Sequence, residues 1–271
     1  MKAQMIISDI DGTLLDDNNQ LSANTIEVIT KFSDTKRFFA TASARTKVST
    51  FAAIGDLASI SSAYAYANGA YVDTNDGRCL VDNPIKSSTL KSILEIEGID
   101  EASVCCVGIN RAQAFLREPV CDKAFSIFDP EYKEVCDAND LTVKTYLIAI
   151  YNKNINKIYN TIKTEFKQLQ SSPIAKSPSI GLDFIFIQDK GSDKGNALKA
   201  VSKHLQIPVE ETVAIGDGIS NDGPMIKAAG LGVAMKNAGK RLKDMADMVT
   251  RYDNDNDGLA SFINEHFRLR N

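Results

Sequence analysis

Residues 4–15 read Gln4-Met5-Ile6-Ile7-Ser8-Asp9-Ile10-Asp11-Gly12-Thr13-Leu14-Leu15. A short apolar run breaks abruptly into an acidic, glycine-containing turn. The run has the composition of a strand buried on both faces, as parallel strands are. Ligands of open parallel sheets gather outside the carboxyl ends of the strands, so Asp9 and Asp11 would stand at the mouth of a crevice. Side chains alternate along a strand with a period of two, which puts both carboxylates on one face if the strand continues. A turn at Gly12 can re-aim the second. Crowded carboxylates repel, and a cation relieves them. A hard ion such as Mg²⁺ suits the position, because it binds through few carboxylates and leaves room for phosphate oxygens.

Outward from this stretch, strand and helix alternate. A helix is expected with Ser22 or Asn24 as N-cap and Ile26, Ile29 and Phe32 on one face. A second strand is read at 37–41 and a second helix at 47–57, the pattern of a parallel sheet covered on both sides. The character changes after Val72. Asn75-Asp76-Gly77 reads as a hairpin turn and Asn83-Pro84 as a break. A helix at 88–97, a β-like run at 102–107, a strand at 144–151 and a long helix at 154–169 follow. Loops at 171–173 and 176–178 precede a strand at 181–187. Regular alternation then resumes, with a helix at 194–205, a strand at 212–215, a helix at 222–229 and a strand at 232–234. The expected architecture is α/β: a Rossmann-like parallel sheet core formed by 1–82 and 188–271, split by an inserted α/β cap at 83–187.

The chain has 271 residues, enough for a full core plus an insertion. Its 31 basic and 35 acidic side chains give a formal net charge of −4, with no basic stripe, which disfavours nucleic acid as a partner. The five cysteines are odd in number and form no C-x-x-C pair, so reduced thiols are expected. Only His204 and His266 are present, which disfavours a zinc site built on paired histidines. The first residues carry no apolar signal core, and no apolar run reaches membrane-spanning length. The expectation is a cytoplasmic protein with no membrane partner.

A second acidic cluster, Gly216-Asp217-Gly218-Ile219-Ser220-Asn221-Asp222, follows the strand at 212–215. Two such clusters at strand ends of one sheet can share a metal. Ser43 follows the second strand and offers a hydroxyl, and Lys194 opens a helix whose N-terminal N–H groups favour an anion. Asp222 either approaches the metal or caps the helix it opens. Arg45 either touches substrate or pairs with an acid. Near the C-terminus, Asp253-Asn254-Asp255-Asn256-Asp257-Gly258 imitates the first half of a calcium loop. Its twelfth position is Asn264, with Glu265 one residue late, so an Asp/Asn-rich turn is the better reading.

Together these segments resemble the haloacid dehalogenase-like phosphatases of the Cof-type branch. Asp9 to Leu14 match that family's D-x-D-G-T-L. Ser43-Ala44-Arg45 stand at its T-G-R segment, and Lys194-Gly195-Asn196-Ala197-Leu198 at its lysine. Gly216 to Met225 answer G-D-x-x-N-D-x-x-M with one extra residue between Asp217 and Asn221. Ala67-Asn68-Gly69-Ala70 and the segment 232–238 are also similar. The resemblance implies a Mg²⁺-dependent phosphatase acting on a small phosphorylated metabolite through an aspartyl phosphate on Asp9, with Asp11 as general acid and base. It further implies Mg²⁺ held by Asp9, the Asp11 backbone carbonyl and Asp217, with Asn221 or Asp222 nearby. Ser43, Lys194 and Asn221 would hold phosphate oxygens, and Arg45 and Asn68 are candidate substrate contacts. A phosphomutase-type phosphoryl transferase and a non-catalytic regulatory relative are the alternatives.

Overall fold

The computed structural model describes residues 3–177 and 180–269; Pro178, at the end of the expected 176–178 loop, lies outside them. The chain begins with strand β1 (Met5–Ser8), helix α1 (Ala23–Asp34), strand β2 (Phe38–Ala42), helix α2 (Lys47–Ile54), and strands β3 (Ala63–Tyr66), β4 (Tyr71–Thr74) and β5 (Cys79–Asp82). Next come α3 (Ser87–Leu94), β6 (Ser103–Val107), β7 (Ala112–Phe115), α4 (Asp122–Phe128) and β8 (Lys133–Glu134). These lead to β9 (Leu147–Asn152), α5 (Ile155–Glu165), β10 (Leu169–Ser171), β11 (Ala175–Lys176) and β12 (Asp183–Asp189). The last part holds α6 (Lys194–His204), β13 (Thr212–Gly216), α7 (Gly223–Ala228), β14 (Leu231–Ala234), α8 (Lys240–Met245), β15 (Met248–Val249) and α9 (Gly258–Phe267).

Two sheets result. The first runs β15-β14-β13-β1-β2-β3-β4-β5, parallel from β15 to β3 and antiparallel over the last two pairings. Its central strand β1 is buried throughout, and its side chains divide between two cores. Ile6 packs with Val28, Ile29 and Phe32 of α1 and with Leu259 and Ile263 of α9. Met5 and Ile7 face the other way, onto Ala197, Leu198 and Val201 of α6 and Met225 and Ile226 of α7. Burial on both faces is the physical reason that this strand reads as continuously apolar. The second sheet, β10-β12-β9-β6-β7-β8 with β11 on β12, lies between β5 and α6 in sequence, and its pairings are antiparallel except β7 with β8.

Ser22 is the N-cap of α1: its side chain accepts from the Thr25 N–H. Asn24, the other candidate, donates instead to Asp257 at 2.9 Å. Asp257 also receives Ser22 Oγ at 2.6 Å and Thr25 Oγ1 at 3.2 Å, so this left-handed residue (φ 53°) ties α1 to the start of α9. In the same turn, Asp255 accepts from the Asp17 N–H. The Asp/Asn-rich turn therefore acts as a hydrogen-bonded clasp. The expected helix at 154–169 stops at Glu165, because Leu169–Ser171 pair antiparallel with the 187–189 end of β12. The gain of an edge strand outweighs helical continuation there. The expected strand at 181–187 likewise shifts to Asp183–Asp189. β7 and α4 occupy a stretch for which patterning predicts no element.

Candidate active site

Strands β13, β1 and β2 are neighbours, so their carboxyl ends deliver Asp217, Asp9 and Ser43 to one rim of the sheet. The Asp9 N–H donates to the Ile215 carbonyl at 2.9 Å, extending the β1–β13 ladder into the turn. The Ile10 carbonyl then accepts from the N–H groups of Leu14 and Leu15, which folds the chain back. Gly12 sits at φ 72°, and a Cβ there would fall 2.6 Å from Asp217 Oδ2. Glycine serves twice, for the left-handed turn and for the close approach of the two acidic loops. Asn237 Nδ2 donates to the Gly12 carbonyl at 2.7 Å, and Thr13 Oγ1 reaches Asp217 at 3.3 Å.

Lys194, wholly buried at the first position of α6, lies with Nζ 2.5 Å from Asp9 Oδ1 and 2.7 Å from Asp222 Oδ1. The second oxygen of Asp222 accepts from the N–H groups of Asp217 at 3.0 Å and Gly218 at 2.8 Å. Of the two readings of Asp222, helix capping is not what the structure shows: its side chain makes no capping bond and holds Lys194 and the 216–218 loop instead. A Cβ on Gly216 would fall 2.5 Å from Asp222, so the loop passes too close for any side chain at that position.

Carboxylate oxygens of Asp9, Asp217 and Asp222 lie within 4.8 Å of one another. Three acids around one ammonium leave an excess of negative charge in a dry setting. Burial, reinforced by Asp222, holds the Asp9 carboxyl well above the usual carboxylate range, against the pull of Lys194. Burial and then Asp222 push Asp217 up to about 7. Burial works to discharge Lys194, but Asp222 and Asp9 together hold its ammonium above the usual value. The donor set fits a hard divalent cation, since all the side-chain donors are oxygens and the surplus charge calls for one. Asp9 and Asp217 have carboxylate oxygens to offer. Asp222 already has both of its oxygens engaged, so it is better described as the residue that secures Lys194.

Asp11, beside this cluster, has its own partner. Arg45 clamps it, with Nη2 2.6 Å from Oδ1 and Nε 3.0 Å from Oδ2, the two-pronged geometry of a guanidinium on a carboxylate. Of the two readings open for Arg45, the structure brings it to an acid. Ser43 is buried, and its Oγ accepts from the Arg45 N–H at 3.2 Å. Asn68 has φ 54°, its N–H donates to the Ser43 carbonyl, and its buried Oδ1 has no hydrogen-bond partner. Gly69 continues the turn at φ 89°, where a Cβ would meet the Asp193 carbonyl at 2.6 Å.

A cleft of about 150 Å³ opens beside Lys194, lined by Asn68, Gln170, Gln188, Ser220 and Asn221 among others. Gln170 and Gln188 come from the second sheet; Gln188 Nε2 donates to the Ala67 carbonyl at 3.1 Å. Thus Asp9, Lys194, Asp217 and Asp222 form one cluster, Asp11 and Arg45 a second, and Asn68 and Asn221 flank the cleft. Asn237, Gln170 and Gln188 escape sequence reasoning, because each owes its place to a partner remote in sequence; Thr13 lies inside the D-x-D-G-T-L match, but its bond to Asp217 has no local signal. A weak signal existed for Asn237, which lies in the 232–238 segment similar to the family.

The chain matches the haloacid dehalogenase-like hydrolase family over residues 6–263. It is similar to the phosphatase YwpJ of Bacillus subtilis (strain 168), 49% identical over 77 residues, which is 28% of this chain and 26% of that protein. In matched sequence, the chain therefore spans about a quarter of that relative. It is also similar to 5-amino-6-(5-phospho-D-ribitylamino)uracil phosphatase YitU of the same organism, 25% identical over 287 residues and 99% of each chain. Among solved structures, BT1666 from Bacteroides thetaiotaomicron, described among phosphatases of the haloalkanoate enzyme superfamily, superposes with a TM-score of 0.81 at 23% identity, covering 99% of this chain and 96% of that one. The match runs from the second residue of β1 into α9 and takes in both acidic loops and the lysine between them, and on that extent the chain belongs to the haloacid dehalogenase-like hydrolases.

Proposed function

We propose that this chain is a magnesium-dependent phosphatase that hydrolyses a small phosphorylated metabolite through an aspartyl phosphate on Asp9. The observation that carries the reading is the cluster of buried Asp9 and Asp222 and half-buried Asp217 at Lys194, at the carboxyl ends of adjacent parallel strands. A carboxylate oxygen of Asp9 attacks phosphorus, the bond to the ester oxygen breaks, and Asp11 gives the departing oxygen its proton. Asp11 then takes a proton from water, whose oxygen attacks the same phosphorus and frees both Asp9 and inorganic phosphate. Lys194, Ser43 and Asn221 hold the non-bridging oxygens and balance their charge. Asp9, Asp217 and the Asp11 backbone carbonyl would hold Mg²⁺, which when bound neutralises the surplus negative charge and polarises the phosphoryl group.

The core is assigned to 1–82 and 188–271 and the cap to 83–187. The cap contributes Gln170 to the cleft, Gln188 joins it from the first residue of the returning core segment, and Asn68 offers an unpaired acceptor nearby. A narrow, amide-lined cleft suits a small metabolite better than a folded protein or nucleic acid. No helix among the described residues is long and apolar enough to cross a membrane. The test is phosphate release from a panel of small phosphate esters with Mg²⁺ or with EDTA, beside an Asp9→Asn variant. Magnesium-dependent release that vanishes in the variant is expected. Release that survives Asp9→Asn would sink the mechanism, and phosphate returned to a second position of the substrate would favour a mutase.

A further inference from the structure

We infer that Ser49 is a positioning residue through which the docked cap fixes the Arg45–Asp11 pair. Helix α4 of the second sheet's layer ends against the start of core helix α2. The Phe128 carbonyl accepts from the Thr46 N–H at 2.9 Å, and the Ile127 carbonyl accepts from Ser49 Oγ at 3.0 Å. A helix leaves its last carbonyls and its first N–H groups without internal partners, so these two ends satisfy each other. A third contact, the Lys47 N–H to the Ile109 carbonyl at 2.6 Å, adds the β6–β7 hairpin to the same junction.

Ser49 is wholly buried and has one hydroxyl proton. Donating it to Ile127 turns the oxygen's lone pairs toward the core, where Arg45 Nη1 donates to Oγ at 2.9 Å. The opposite edge of the same guanidinium, Nε and Nη2, grips Asp11. A rigid planar fork cannot shift at one end without shifting at the other. The line therefore runs from a cap carbonyl through one hydroxyl and one guanidinium to the carboxyl read here as the acid that protonates the leaving group. Arg45 is nine-tenths buried, so no bulk water takes over the role of Ser49. Cap docking and correct aim of Asp11 are thereby linked: the acid is held in place when the cap sits over the site.

The inference rests on the phosphatase reading, and the experiment separates the two. The full chain with Mg²⁺ is assayed on glycerol 2-phosphate, whose alkoxide needs a proton, and on 4-nitrophenyl phosphate, whose phenolate leaves without one. kcat/KM is compared because it reports the steps up to loss of the leaving group. Ser49→Ala is expected to lower kcat/KM by about tenfold for the alkyl ester and by less than about twofold for the nitrophenyl ester, a fraction of a full general-acid contribution. In an Arg45→Met background the same substitution should change nothing further. Equal losses on the two esters, or an undiminished effect beside Arg45→Met, would overturn the role. Ser49→Cys, which keeps the size and a weak acceptor, should fall between, and it serves if the alanine variant does not fold. Inactivity of the unaltered chain on every ester would instead remove the phosphatase reading, and the inference with it.

Discussion

Gly12 and Asp222 shape the site without being the residues that react. Replacing Gly12 by alanine puts a methyl group 2.6 Å from Asp217 Oδ2 at a backbone angle of φ 72°, so the two acidic loops must separate. The expected outcome is at least about a tenfold loss of apparent Mg²⁺ affinity, since misplaced metal donors cost that order, read as the Mg²⁺ dependence of phosphate release. Unchanged Mg²⁺ dependence would mean that Asp217 is not a donor. Asp222→Ala leaves Lys194 with a single carboxylate and strips a partner from the Asp217 and Gly218 N–H groups. Removing one member of a buried, bonded pair costs about 3 kcal/mol, to be read by chemical denaturation at neutral pH. A loss below about 1 kcal/mol would show that water replaces it. Asp9, Lys194 and Asp217 were legible in the sequence as charged residues at expected strand and helix ends. Ser49 was not, because a lone serine acquires meaning only from Ile127, which lies 78 positions away.

Among the elements, β1 and α1 were legible because each carries its own pattern: an unbroken apolar run, and a capped helix with one apolar face. The cap was harder. α5 shows Ile155, Ile158 and Ile162 on one face, and Phe166 and Leu169 prolong that spacing beyond the point where the chain becomes an edge strand. Local periodicity could not register the pairing with β12 that ends the helix. β7 and α4 are short and owe their form to β6 and to the α2 junction. The Asp257 clasp gives a test at this scale. Asp257→Ala removes three side-chain bonds that join α1 to α9 and should cost about 2 kcal/mol by denaturant unfolding, with phosphate release unchanged below the transition. Calcium should leave the unfolding midpoint of the unaltered chain where it is; a clear rise would make the turn an ion site after all.

In the molecule as a whole, the acidic cluster links stability to pH. Asp217, near 3.8 when exposed, titrates at about 7 in the fold, and Asp9 is displaced in the same direction. A folded carboxyl with a raised pKa keeps a proton that the unfolded chain has lost, so the metal-free protein loses stability as pH climbs from about 4 to about 7. On the proposed reading Mg²⁺ would bind the ionised acids, so the gain in melting temperature on replacing EDTA by Mg²⁺ should widen between about pH 5 and about pH 8. A gain independent of pH would disconnect these acids from the metal. The molecule's second-sheet insertion re-enters the core at a revealing place. β12 ends at Asp189, and Lys194 follows after four residues, so the chain leaves the second sheet almost at the buried lysine. The other crossing, after Asp82, begins instead at a strand on the far edge of the first sheet. For protein engineering the two seams are therefore unequal. A transplanted insertion can be trimmed or lengthened at the Asp82 seam, whereas every residue added or removed at the other must be absorbed within one short loop or it moves the lysine itself.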